Sequence, residues 1–266
     1  MGCLQFCKQD VKNHIMARQE GIIKLKGQIG DLAFYKTKDG YQARTKGGVS
    51  ADRIANDPRY QRTRENGAEF GRAARAGKLF RTAFKTLTSQ LADKKISNRL
   101  SKQMLKVVQA DTINERGMRM VLDAETEMLA GFEFNANGIV STTVNMPYST
   151  GIDRATGVAN INFEAFNARD MVASPRGATH FKLSAATAVI DFEESVYVLN
   201  VTDSAVLPVT EVAVPLTNLS CNVTPAATKP IFLLLGVSFY QRVNGVDYIL
   251  SNGAYNGLVV VQVSGL

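Results

Sequence analysis

Ten of the eleven cationic side chains between residues 62 and 102 carry the most legible chemistry in this chain: Arg62, Arg64, Arg72, Arg75, Lys78, Arg81, Lys94, Lys95, Arg99 and Lys102. Guanidinium and ammonium groups along a helix can follow a phosphate backbone, which contributes affinity but reads no sequence. No helix-turn-helix, zinc finger or basic zipper accompanies them. The expected nucleic-acid partner is therefore DNA or RNA bound without sequence preference. Lys36, Lys38 and Arg44 stand among Phe34, Tyr35 and Tyr41, a basic-aromatic mixture that suits single strands. The plainer alternative is an edge hairpin kept soluble by its lysines.

Other chemistries are poorly served. Gly71-Arg-Ala-Ala-Arg-Ala-Gly77-Lys78-Leu79 has five residues between its glycines and Leu after Lys. A phosphate-binding loop needs four, and a hydroxyl at the last place to hold magnesium. The histidines are His14 and His180 and the cysteines Cys3, Cys7 and Cys221; neither set has zinc-site spacing. Cys221 reads as a small apolar residue, and His180 as a half-buried strand residue. Asp191, Glu193 and Glu194 lack an oxygen-rich loop with calcium spacing. We expect no catalytic residues, no cofactor and no metal, and hence no enzyme.

The basic residues need helices to position them. From Tyr60 to about Leu91, Tyr60, Thr63, Gly67, Phe70, Ala74, Gly77, Phe84, Leu87 and Leu91 recur at helical spacing. Glycine inside a helix costs roughly 1 kcal/mol against alanine. Gly67, Gly71, Ala74 and Gly77 are thus candidates for close approach of another backbone. Ser50 and Asp57-Pro58 are helix-start signals. A second amphipathic helix begins near Asp93, and a third helical piece spans about 113–129.

Both flanks read as β. Apolar runs containing Ile22, Ile23, Leu25, Leu32 and Phe34 approach Asp39-Gly40, a hairpin signal. Beyond Gly131 helical periodicity stops. Candidate strands are 139–146, 158–166, 179–192, 196–201, 206–214, 231–243, 247–250 and 258–263, with Asn244-Gly245 as a two-residue hairpin turn. The fold class is α+β: an N-terminal β-hairpin and basic amphipathic helices, then an antiparallel β-sandwich, immunoglobulin-like or jelly-roll. The implied divisions are an extension (1–15), a hairpin arm (16–48), a basic helical region (49–130) and a sandwich domain (131–266).

Charge is split along the chain. Residues 1–120 hold 25 Lys/Arg and 11 Asp/Glu, whereas residues 121–266 hold 6 and 13, within a net charge of +7. The basic half can meet a polyanion, or the acidic half of another copy in a homo-oligomer. No apolar run approaches the roughly 18 residues of a membrane span, and the N-terminus lacks a secretory pattern. A cytoplasmic protein, or one incorporated into an assembled particle, is expected.

The segments G-I-I-K-L-K-G-Q-I-G-D-L-A-F-Y-K-T-K-D-G-Y, G-G-V-S-A-D-R-I-A-N-D-P and R-T-R-E-N-G-A-E-F-G resemble a family of uncharacterised Bacteroidota proteins. The likeness is strongest from Met16 to Arg81. It implies a start at Met16-Ala17-Arg18, with residues 1–15 an upstream extension, and phage-like or mobile contexts. It implies no activity. Two readings follow: a self-assembling structural protein of a virion, tail or filament, or a sequence-independent nucleic-acid-binding protein.

Overall fold

A computed structural model describes residues 16–45, 47–215 and 217–265, apart from the side chains of Met16 and Ala124. Cys3, Cys7 and His14 lie outside the described residues. The chain forms two compact units, up to Gln61 and from Arg62 onward.

The first unit is a four-stranded antiparallel sheet of β1 (Met16–Arg18), β2 (Gly27–Ile29), β3 (Leu32–Thr37) and β4 (Gly40–Thr45), in the order β1-β4-β3-β2. The hairpin expected at Asp39-Gly40 forms one residue earlier. Thr37 pairs with Gly40, so Lys38 and Asp39 make the loop and Gly40 opens β4 at a φ of +113°. Ile22, Ile23 and Leu25, expected in a strand, lie instead in the irregular crossing between β1 and β2. Ser50 caps α1 (Ala51–Asn56), accepting from the Arg53 N–H. Asp57 caps the short turn that begins at Pro58, as the sequence indicates.

The second unit begins with α2 (Gln61–Ala83), α3 (Lys85–Thr88) and α4 (Ile96–Ala110). Then come α5 (Val140–Thr143), β5 (Tyr148–Asp153), β6 (Val158–Phe163), β7 (Phe166–Asn167) and α6 (Ala168–Met171). The remaining strands are β8 (His180–Asp191), β9 (Val196–Asp203), β10 (Leu207–Pro208), β11 (Ala213–Val214), β12 (Thr217–Asn222), β13 (Ile231–Val243), β14 (Val246–Ile249) and β15 (Gly257–Ser264).

Strands β8 and β13 pair along ten residues and form the middle of a six-stranded sheet. β9 and β10 flank β8; β15 and β14 flank β13. Side chains alternate across these strands. Phe181, Leu183, Ala185, Leu233, Leu235, Val237 and Phe239 point to one face, against Ala159, Ile161, Phe163, Leu219 and Cys221 of the β12-β6-β5 sheet. Ala186, Ala188, Ile190, Phe232 and Leu234 point to the other, against Ala73, Ala76, Phe80, Phe84, Leu100, Met104 and Val107 of the helices. The sandwich is present, and its larger sheet is also covered by helices. The expected boundary at 130/131 therefore falls inside one unit, because the helices and the sheet share a core.

The stripe buried by α2 is rotated from the one read in the sequence. Ala73, Ala76, Gly77, Phe80 and Ala83 are buried, while Phe70 is 54% exposed. Phe80 is the hub: its ring lies 4.9 Å from Phe232, 5.2 Å from Phe84 and 5.9 Å from Phe134. Of the small residues proposed for close packing, Gly77 alone faces a neighbouring element. A Cβ there would lie 3.6 Å from Leu100 and Met104. No atom lies within 4 Å of such a position at Gly67, and at Gly71 the nearest belongs to the helix's own Arg75. Ala74 is half-buried.

Three further expectations differ. Residues 139–146 hold α5 rather than a strand, because the Glu133 carboxylate accepts the N–H groups of Val140 and Ser141, each at 3.1 Å. Residues 113–129 form a loop and a short 3-10 turn instead of a helix. The run 206–214 breaks into β10 and β11. β5 and β12 went unread. Asn244-Gly245 makes the two-residue turn as expected, with φ of +51° and +80°. Among the described residues no helix is long and apolar enough to cross a membrane.

The Phe80 cluster predicts that Phe80→Ala lowers stability by about 3–5 kcal/mol in denaturant titration. Gly77→Ala, by contrast, is expected to raise it by roughly 0.5–1 kcal/mol. The added methyl group meets only ordinary van der Waals contacts, and glycine's cost in a helix interior is removed.

Candidate functional site

The helical cations divide into those turned inward and those left outside. Arg72 donates to the carbonyls of Gly117 at 2.7 Å and Arg119 at 3.0 Å. Arg99 donates to the carbonyls of Glu133 and Phe134 at 2.7 and 2.8 Å, and to Asp93 at 2.5 Å, with its guanidinium over the Phe132 ring. Both were expected to meet phosphate or a partner. Both are instead committed to the fold, since buried carbonyls outside regular structure need donors.

Arg72 belongs to a latch on one face of α2. Glu69, buried, accepts the Gly117 N–H at 2.8 Å. Asn66 accepts from Arg116 at 2.8 Å, and Glu65 lies 3.6 Å from the same guanidinium. All four hold the loop 111–120, which is wound on the Asp111 carboxylate. Burial opposes ionisation of Asp111. The N–H groups of Met120, Asn114 and Ile113 and the Asn114 side chain outweigh it, holding the carboxyl at about 2. The sequence signal for this latch was Glu65, Asn66, Glu69 and Arg72 on one helical face.

The other expected contacts are variously placed. Arg75, Lys78, Lys94 and Lys95 are exposed and Arg81 is half-buried. Arg62 is exposed and pairs with Glu65 at 3.0 Å; Arg64 is half-buried. Arg75 and Arg72 line an open pocket of about 270 Å³ with Leu79, Met120, Phe192 and Glu193. Gly67 and Phe70 line a shallower groove of about 550 Å³ with Leu105 and Gln109.

The acidic group at 191–194 holds a lysine. Lys229 sits 2.8 Å from Glu193, 3.6 Å from Asp191 and 4.0 Å from Asp123. Its pKa is raised chiefly by the hydrogen bond to Glu193. Asp191 is lowered against its own burial by the N–H groups of Glu194 and Glu193 and by Lys229. His180 is half-buried in β8 with Nδ1 2.9 Å from the Thr179 hydroxyl, and Cys221 is buried with its Sγ 3.4 Å from the Ala185 carbonyl.

The first unit is unlike the second. Its register places Ala17, Ile29, Leu32, Phe34, Tyr41 and Ala43 on one face, with Lys36 and Thr45 at its ends, and Arg18, Ala33, Tyr35, Thr37, Gln42 and Arg44 on the other. Arg44 lies over the Tyr35 ring at 5.5 Å and Lys36 over Tyr41 at 5.4 Å; Lys38 sits in the turn. None of the described side chains from 17 to 61 is buried. Ile22 and Ile23 are 103% and 80% exposed.

Among the described residues, β9 of the second unit pairs with β8 and with no further strand. The Ile190 N–H donates to Pro230, on the β13 side, so the alternate residues of β8 serve β9. In β9 the backbone groups of Val196, Val198 and Asn200 then face β8, and those of Tyr197 and Leu199 face outward. Val196, Tyr197 and Val198 are all exposed.

No family model matches the chain, and no curated protein matches it. Among solved structures, the crystal structure of the human F-spondin reeler domain is similar over 48% of this chain and 94% of its own, with 14% identity and a TM-score of 0.19. That similarity carries no argument.

The inward arginines predict that Arg99→Ala lowers the unfolding free energy by about 1.5–3 kcal/mol in denaturant titration, the value of hydrogen bonds to a charged group. Lys94→Ala is expected to change it by less than about 0.5 kcal/mol. Asp111 predicts an acid effect. Its folded pKa lies below its unfolded one, so its contribution is complete above about pH 4 and is lost as pH falls toward 2. Asp111→Asn is expected to melt lower than the parent at pH 6, with the gap closing by pH 2.

Proposed function

We propose that this chain is a structural subunit that assembles with copies of itself, of the kind that builds a virion, tail or filament. The observation that carries the reading is the N-terminal sheet. A sheet with an apolar face gains its stability by burying that face, yet Ile29 and Leu32 remain exposed and Phe34 and Tyr41 only half-covered. A second copy would supply the missing layer. The split between a basic first half and an acidic second half favours head-to-tail contacts, in which one copy's N-terminal region meets another's C-terminal region.

Nucleic-acid binding is the second reading, favoured by the cations stacked on Tyr35 and Tyr41. Exposed Arg75, Lys78, Lys94 and Lys95 would add backbone contacts. The two readings are compatible in a particle that encloses nucleic acid.

Light-scattering mass on a sizing column, with absorbance at 260 and 280 nm, tests both. Assembly predicts a discrete species heavier than the 29.0 kDa chain, and an Ile29→Lys, Leu32→Lys variant that dissociates at a concentration about tenfold higher or more. A single-chain mass at high concentration and low salt would overturn it. Nucleic acid predicts a raised 260 nm signal that disappears with nuclease or salt, and a protein-like ratio at low salt overturns that reading.

A further inference from the structure

The segment Ile22–Lys26 has the composition of a strand and is not in one. Ile-Ile-Lys-Leu-Lys joins β-branched and apolar residues to alternating lysines, bounded by Gly21 and Gly27. In the folded chain these five residues pair with no strand; the Gln19 side chain holds the Leu25 backbone, accepting its N–H at 2.9 Å and donating to its carbonyl at 3.4 Å, and an added strand would exchange those two bonds for its own. Ile22 and Ile23 are the most exposed large apolar side chains among the described residues. β9 presents the opposite half of the same arrangement. Along Val196–Asn200 its outward backbone groups have no strand beside them among the described residues. Exposed Val196, Tyr197 and Val198 flank that edge. No Lys, Arg or Pro interrupts β9, although such residues are the usual protection of an exposed edge.

We propose that Ile22–Lys26 of one copy adds as an antiparallel strand to the β9 edge of a second copy. This rests on the assembly reading and names its contact. Three observations converge. The lengths match: five residues of donor and five of open edge, each about 17 Å in extended form. The apolar residues match, because Ile23 and Leu25 would lie beside Tyr197 and Leu199, extending the apolar side of the sheet. The charges match as well. An antiparallel arrangement sets Lys26 beside the start of β9, where exposed Glu193 and Glu194 precede it, and Lys229 offsets only part of that acidic group. Backbone hydrogen bonds would supply affinity and the alternating side chains specificity, as in other strand additions. Because donor and acceptor are different surfaces, the contact is heterologous and can propagate from copy to copy.

Disulfide trapping between two differently marked copies tests this. Both carry Cys3→Ser and Cys7→Ser, and Cys221 is retained because it is buried. One copy carries Lys24→Cys, or Ile23→Cys to cover the opposite strand face; the other carries Val198→Cys. Centre meets centre, so mild oxidation is expected to give a mixed dimer whose linking peptide contains both positions. Tyr197→Pro gives an independent readout. It removes an outward N–H and leaves the β8 pairing intact, so the variant is expected to keep the parent's circular dichroism and lose the heavy species. Heavy species that persist in Tyr197→Pro, with no cross-link in either pair, overturn the strand addition and leave the assembly reading standing. A parent that remains a single chain at all concentrations overturns both.

Discussion

The second unit is organised by one constraint: strands β8 and β13 are buried on both faces. A central strand pair of that kind is apolar at successive positions, as Phe232-Leu233-Leu234-Leu235 shows, and each face must be covered by something else. One cover is the β12-β6-β5 sheet. The other is the helical layer of α2 and α4, which joins Phe80 to Phe232. Helices that give one face to a sheet must turn their charges outward, so the exposed lysines of α2 and α4 are first a consequence of that packing. Their use as a binding surface is a separate question of partner.

How much of this was legible follows from which signals are local. β13 was readable to the residue, because its apolar run ends in Val243 and the next two residues, Asn244-Gly245, adopt positive φ. β12 was missed because Thr-Asn-Leu-Ser-Cys-Asn buries only Leu219 and Cys221, too weak an alternation to stand out. Residues 113–129 were read as a helix because the helical period of Met118, Val121 and Leu122 is local, whereas the latch that holds the loop, through Asn66, Glu69 and Arg72, reaches 45 to 50 residues along the chain. The rotation of the α2 stripe has the same origin. Phe70 attracts the eye as a core residue, but the sheet meets α2 beyond it, at Ala73 and Phe80.

The candidate contacts divide similarly. Sequence alone cannot separate an arginine facing a phosphate from one facing a carbonyl, and Arg72 and Arg99 prove to be the latter. What marks them is the company they keep: Arg72 stands on the same helical face as Glu65, Asn66 and Glu69, and Arg99 six residues after Asp93. In the first unit the alternation of Leu32, Phe34 and Lys36 against Tyr35 was readable, and so was the strand-like character of Ile22–Leu25. The absence of any buried described side chain from 17 to 61 was not, because burial is set by tertiary packing and not by local alternation.

The order in which the chain is made gives the helical layer a further consequence. During synthesis α2 and α4 emerge well before β8, β13 and β15, yet the apolar groups they bury belong to those strands. Phe80, Phe84, Leu100 and Met104 therefore spend the translation of more than a hundred residues without their sheet. Intermediates with such surface exposed are prone to aggregate. The cations on the outer helical faces give such intermediates a like charge, which opposes their association.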